Sequence, residues 1–225
     1  MTPQQQNPQL HRGIAVWLAG CSMLAGGLSW GQVPDLSGVW DQERGQWPVN
    51  DAPYTAAGRA AQDGWVQDED PVLLCTIHFG RILSAPLPVE IVQDEERLLF
   101  VYEYDHQVRR IWLDGRSHPQ DEAPTLMGHS IGRWDDSTLV VETQGLKAGY
   151  MRPEGQPYSG NARVIERHTP IDGGAALAVE ITLVDPEYYR QPLVVNRIMR
   201  RVPGLEIAEY NCTVRPHLGG ELGEG

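Results

Sequence analysis

The sequence has no G-x-S-x-G elbow, no H-E-x-x-H pair and no glycine-rich loop placed after a strand. These gaps remove the strongest short signatures of serine hydrolases, of one large class of zinc proteases and of nucleotide-binding folds. Long helical patterns, internal repeats and coiled-coil heptads are missing as well. Positive charge is scarce, with 18 Lys and Arg against 30 Asp and Glu and a formal net charge of −12. Phosphate binding needs a positive field, so nucleic acid is excluded as a partner, and an acidic membrane surface is disfavoured for the same reason. Cysteine is also scarce, with three in 225 residues.

What is present begins with a leader. Residues 1–10 are polar and Gln-rich, and His11-Arg12 precede an apolar stretch ending in Leu18-Ala19-Gly20-Cys21. A short charged region followed by a short apolar one is the grammar of an export signal, and the stretch is too short and Gly-rich for a comfortable membrane span. Leu18-Ala19-Gly20-Cys21 resembles a lipobox, in which case a lipidated Cys21 would anchor the protein to a membrane. The competing reading is ordinary cleavage near Trp30-Gly31-Gln32. Both lead to a bacterial periplasm or outer-membrane surface; a cytoplasmic chain with an accidental apolar start is the bland alternative. We therefore expect an export signal over 1–32 and a single domain over 33–225, long enough for a sizeable core.

Beyond Cys21 only Cys75 and Cys212 remain. In an exported chain two well-separated cysteines suggest a disulfide, and two separate buried thiols are the alternative. Two cysteines at this spacing are not a metal site by themselves.

Strand signals dominate the rest. Residues 89–93 and 97–104 flank Asp94-Glu95-Glu96 as a hairpin. Residues 107–113 run into the turn pair Asp114-Gly115. Residues 130–134 and 138–143 flank Asp135-Asp136-Ser137, residues 163–169 and 177–184 flank Asp172-Gly173-Gly174, and residues 194–201 and 205–213 flank Pro203-Gly204. The single helix expected lies over 55–62, where Thr55 can cap and Ala and Arg are good formers. Several strands carry apolar residues on both faces, which a half-solvated sheet does not need. The expected fold is all-β: one antiparallel up-and-down barrel of about nine strands, with a β-sandwich as the alternative. Gly38-x-Trp40, ahead of this meander, is similar to the lipocalin and calycin opening, in which the Trp plugs one barrel end.

Taken together, Asp35 to Trp40, Tyr102-Glu103-Tyr104 through Arg110, Asp114-Gly115-Arg116 with His118-Pro119, Met127 to Trp134, Thr138 to Thr143 and Pro203 to Cys212 resemble a large family of exported bacterial proteins. Its shared segments read DLSGVW, YEY…R-x-I-x-x-DGR-x-HP, MGHSIGRW, TLVVET and PG-x-EI-x-EY-x-C. The likeness covers nearly the whole chain after the leader and implies a fold unit and export, not a reaction. Two places depart from it: His78 stands in the loop after Cys75, and Asp135-Asp136-Ser137 replaces an EGD-type turn.

His129, after Met127-Gly128, is the first candidate for chemistry. A histidine titrates near working pH and can act as acid or base, or can simply hold a loop. Asp105 and Asp121 are its candidate carboxylate partners, and Arg110 the candidate for a developing oxyanion. Asp105 shares a strand face with Glu103, and Arg110 with Trp112; cross-strand salt bridges on the outside are the plainer reading. Tyr102, Tyr104, Trp112, Trp134, Asn161 and Asn196 are candidates for contacts to a ligand. A metal site drawn from His78, His106, His118, His129 and Asp121 matches no short motif, and neither metal nor cofactor is expected. The leading expectation is an exported barrel that binds a small, partly apolar ligand, acidic or aromatic. A cofactor-independent lyase, isomerase or hydrolase built on His129, a carboxylate and Arg110 is the alternative, and an envelope structural protein the third. The sequence does not bear on oligomeric state.

Overall fold

The computed structural model describes residues 1–2, 33–43 and 51–214, so the expected leader, Cys21 included, lies outside the described residues apart from its first two. All elements below belong to the unit Gly31–Gly225. Nine strands close into a barrel: β1 Gly38–Gln42, β2 Val89–Gln93, β3 Arg97–Tyr102, β4 Val108–Trp112, β5 His129–Asp135, β6 Thr138–Gln144, β9 Arg163–Ile171, β10 Ala176–Val184 and β11 Leu193–Arg201. Between β6 and β9, β7 Gly149–Tyr150 and β8 Pro157–Tyr158 pair as a separate small ribbon. Closure is made by β1, which pairs with β2 on one side and β11 on the other.

Period-two alternation sets the inside. Leu98, Phe100 and Tyr102 of β3, Leu177, Val179, Ile181 and Leu183 of β10, and Val195 and Met199 of β11 are all buried. The intervening residues face outward and are half-buried or exposed. A closed sheet leaves no unpaired edge, and it rules out the sandwich.

Two expectations need correction. The barrel is not strictly up-and-down, because β4 and β5 run parallel, paired only at Ile111–Ser130 and Trp112–Ile131. Asp114-Gly115 does not turn the chain into a hairpin. Parallel neighbours need a crossover, and residues 113–128 supply it without a helix or strand of their own. The expected final strand over 205–213 is also absent, although Gly204 makes its turn at φ 79°. β11 already has β10 and β1 as neighbours, so a returning strand finds no free edge. The segment instead runs as a strap to Cys212, which is bonded to Cys75.

The Gly38-x-Trp40 segment opens β1. Trp40 is fully buried, its Nε1 donates to the Leu36 carbonyl at 2.9 Å, and the Arg201 guanidinium lies 4.5 Å above its ring. Arg201 also donates to the carbonyls of Asp35, Ser37 and Gly174, so one cation stitches the lead-in to the β9–β10 turn. The helix expected near 55–62 forms as α1 Ala56–Asp63, with the Thr55 hydroxyl accepting from the Gly58 amide. A second helix, α2 Phe79–Ser84, is not evident in the sequence pattern. Its Phe79, Ile82 and Leu83 are buried, and Arg197 Nη1 from β11 donates to the Leu83 carbonyl at 2.6 Å.

The Cys75–Cys212 bond spans 137 positions. Closing a loop of that size restricts the unfolded chain by about 5 kcal/mol on the chain-entropy estimate. Urea unfolding followed by Trp fluorescence, with and without reductant, is expected to show a loss of about 2–5 kcal/mol on reduction; coincident curves would mean that the strap contributes nothing to stability.

Candidate functional site

Two polar groupings stand out, one inside the barrel and one outside. Inside, Arg109 of β4 donates from Nη2 to Glu166 Oε1 of β9 at 2.6 Å and to Thr143 Oγ1 of β6 at 2.7 Å, and from Nε to Ser130 Oγ of β5 at 2.9 Å. Strand alternation puts all four on inner faces. Both ionic side chains are 1 % exposed. The Phe79 ring lies 4.8 Å from the guanidinium, and His168 Nε2 approaches Glu166 Oε2 at 3.4 Å. Burial disfavours charge on Glu166, but the Arg109 cation outweighs it and, with His168, holds this carboxyl far below the usual carboxylate range. Burial pulls Arg197, on β11, below the usual guanidinium range. Packed around by Phe100, Ile111, Leu139 and Val141, this network is a charged core.

Outside, the crossover 113–128 lays His118 over the outer face of β5. It is pinned where the Thr125 amide donates to the Gly145 carbonyl and the Lys147 amide donates to the Thr125 carbonyl. Gly128, at φ 66°, lets the chain enter β5 against β6: a Cβ there would sit 2.5 Å from the Gln144 carbonyl oxygen. Position 128 thus demands glycine for both conformation and space. His129 follows, pointing outward because its neighbour Ser130 points in.

His118 Nδ1 and His129 Nδ1 lie 3.0 Å apart with their rings nearly perpendicular. On the far side of His118, Nε2 is 3.9 Å from Glu142 Oε1; the two side chains are 9 % and 31 % exposed. Glu142 pairs with Ile131 in the β5–β6 ladder, and Gln144 pairs with His129, so both face outward with it. Gln144 Nε2 donates to Glu142, and Arg163 of β9 lies 3.7 Å from the same oxygen. Carrying the parallel β4–β5 register back by one residue sets Arg110 beside His129. Arg110 is exposed, stacks 5.6 Å from the Trp112 ring and has no ion-pair partner among the described residues. A groove of about 390 Å³, lined by Gln144, Asn161 and Arg163 among others, adjoins the group.

Burial pushes both histidines below the ordinary value of 6.5; Arg116 adds to the effect on His129, and His129 to that on His118. Glu122 and Asp114 oppose it at His129, and Glu142 opposes it at His118. The pair is therefore neutral near pH 7. His118 Nε2 faces the Glu142 carboxylate at 3.9 Å without a hydrogen bond, and of the two Nδ1 atoms one donates to the other.

The other sequence candidates fall in different places. Asp105 sits at φ 54° in the turn Tyr104–His106 after β3 has ended, and accepts from Gln107 at 2.9 Å. Asp121 is exposed on the crossover. Neither bonds to His129 among the described residues. Tyr102 is buried inside beside Arg109 and Arg197. Tyr104 lies outside the barrel ladder against Tyr210. Trp112 is on the outer face with the Arg116 guanidinium 3.6 Å above its ring. Trp134 packs against the core, Asn161 lines the groove beside Gln144, and Asn196 is exposed opposite Glu180 on β10. No three His, Cys, Asp or Glu side chains gather as metal ligands among the described residues. His78 precedes α2 and His106 holds the strap.

Sequence reasoning did not select Glu142, Glu166, His168 or Arg197. Glu142 was reachable: counting back from the Asp135-Asp136-Ser137 turn pairs it with Ile131, two residues from His129. Glu166 and His168 share a face with Val164, a phase that marks them as internal. No protein-family model and no curated protein matches the chain.

Breaking the interior pair is expected to be costly. Glu166→Gln leaves Arg109 buried beside a neutral amide and is expected to lower stability at pH 7 by about 3–5 kcal/mol. The double variant Arg109→Met/Glu166→Gln is expected to lose less than the sum of the singles, and additive losses in urea titrations would remove the coupling. Because the folded carboxyl lies below its unfolded value, this stability is fully present above about pH 4.5 and disappears as pH falls through the folded value.

Proposed function

We propose that this protein is an exported bacterial enzyme that moves a proton without a cofactor, on the outer face of its barrel, and that His129 is the base. The observation that carries the reading is the Glu142–His118–His129 series: a carboxylate 3.9 Å from one imidazole, and a second imidazole whose Nδ1 is hydrogen-bonded to the first at 3.0 Å. A neutral imidazole near pH 7 is matched to removing a proton from a weak carbon acid, and such a positioned base contributes about 10²–10⁴-fold in rate. Once His129 takes the proton it is an imidazolium whose Nδ1–H points at His118. The charge is then shared toward Glu142 rather than left on one ring. Arg110, exposed beside His129, supplies a forked cation for a carboxylate or enolate oxygen. The groove past Gln144 and Asn161 gives the substrate a bed.

This favours a lyase or isomerase over a hydrolase with a serine nucleophile. Ser130, next to His129 in sequence, faces the interior and bonds to Arg109 and Thr143. The leader pattern, the likeness to exported proteins and the Cys75–Cys212 bond support an oxidising compartment such as the periplasm.

The test is proton exchange. In D₂O, a panel of small 2-oxo and 2-hydroxy acids is expected to include members whose α-proton NMR signal is lost only with protein present. His129→Ala is expected to slow that loss by about 10²–10⁴-fold, with the circular dichroism of the barrel retained. A panel with no protein-dependent exchange, or exchange untouched by His129→Ala, overturns the reading.

The pH profile is a separate check. The acid limb is expected below pH 6.5, because burial lowers both rings from that value. Glu122→Gln is expected to move the limb lower still, since Glu122 raises His129. A limb above 6.5 would assign the titration to another group.

A further inference from the structure

A second groove lies where α2, the turn after β3, the β7–β8 ribbon and the C-terminal strap converge. Its volume is about 360 Å³, and its lining includes Arg81, Leu87, Tyr104, Arg152, Glu154 and Tyr210. Tyr104 and Tyr210 meet edge to face, 5.2 Å between centroids and 71° between planes. That arrangement leaves two ring surfaces meeting at an angle, a wall shape suited to a third aromatic ring. Behind them Arg81 is fixed in direction: its Nη1 donates to Asp70 Oδ2 at 2.9 Å, with both side chains about one-tenth exposed. The Asp70 contact engages one of Arg81's five N–H bonds, and the Tyr104 hydroxyl lies against the same guanidinium. Arg152 stands at the rim, held by Glu154 at 3.2 and 3.4 Å. Glu154 is half-exposed, so that pair is loose enough to open.

The wall carrying Tyr210 is not part of any strand. Residues 203–214 touch the barrel through few polar contacts. The Ala208 amide donates to Glu103 Oε2 at 3.1 Å, and the Tyr210 amide donates to His106 Nε2 at 2.8 Å. The covalent tie is Cys212, two residues past Tyr210, bonded to Cys75 at the foot of α2. One wall of the groove is therefore set in place by the disulfide.

We propose that this groove is a binding site for a small aromatic carboxylic acid, distinct from the outer-face histidines, and that the Cys75–Cys212 bond assembles it. The ring of the ligand lies against Tyr104 and Tyr210, and its carboxylate meets Arg81 and Arg152. Arg81 keeps Asp70, and the ligand's carboxylate replaces that of Glu154 on Arg152, so the two guanidinium groups behind aromatic walls recognise both halves of such a molecule and its neutral amide poorly.

The probe is 4-hydroxyphenylacetate, followed by isothermal titration and by saturation-transfer NMR. Saturable binding is expected, with 4-hydroxyphenylacetamide weaker by about tenfold or more. Tyr210→Ala and Arg152→Gln are each expected to weaken the acid by about fivefold or more, in proteins whose thermal melts match the parent's. Cys212→Ser is expected to weaken it similarly, with the barrel still folded by circular dichroism. His129→Ala is expected to bind the acid as the parent does, which keeps this site separable from the proton-transfer site. No saturable binding up to about 10 mM, equal affinity for acid and amide, indifference to Tyr210→Ala, Arg152→Gln or Cys212→Ser, or loss of binding in His129→Ala overturns the proposal.

Discussion

Arg109 holds the barrel together where its hydrogen-bond ladder is shortest. The parallel joint between β4 and β5 has two residue pairs, against nine between β9 and β10. From β4, one guanidinium reaches Ser130 on β5, Thr143 on β6 and Glu166 on β9, so a single side chain bridges four neighbouring strands through that joint. A buried ion pair gives little net stability over an apolar substitute, but its geometry is demanding, and misregistered strands would strand a charge. The main effect of Arg109 is thus to fix register at the place where backbone pairing does least.

That joint also creates the outer site. An antiparallel hairpin at Asp114-Gly115 would have sent the chain straight back beside β4, and His118 would have belonged to a tight turn. Because the strands run parallel, residues 113–128 must loop outside the sheet and return to the level of Arg110, where β5 begins. This loop brings His118 onto His129, which the register sets beside Arg110. The interior arginine and the exterior histidine pair depend on the same topological irregularity.

How much of this the sequence disclosed depends on the range of the signal. Hairpins with short polar turns, such as 89–102 and 130–143, were legible because alternation and turn residues act locally. Thr55 as a cap and Trp40 as a buried side chain were legible for the same reason. The parallel joint was not, since nothing in Asp114-Gly115 distinguishes a turn that closes from one that opens into a crossover. The strap after Pro203-Gly204 was misread because strand propensity in 205–213 is real, but the edge it would need is occupied by β1, a strand more than 150 positions away. The partner of Arg109 was out of reach in the same way: Glu166 is 57 positions distant, and only closure brings it inward. His129 could be picked out from Gly128, but its neighbours His118 and Glu142 become partners only through register.

The disulfide turns residues 75–212 into a covalent ring, and among the barrel strands β1 alone lies outside that ring. A single proteolytic cut within the ring would therefore leave both products joined as one molecule, with all strands from β2 onward still tethered. A cut on the stretch between β1 and Cys75 would instead separate the strand that closes the sheet from the rest. The chain is thus armoured against nicking over most of its length and has its one point of vulnerability at the seam.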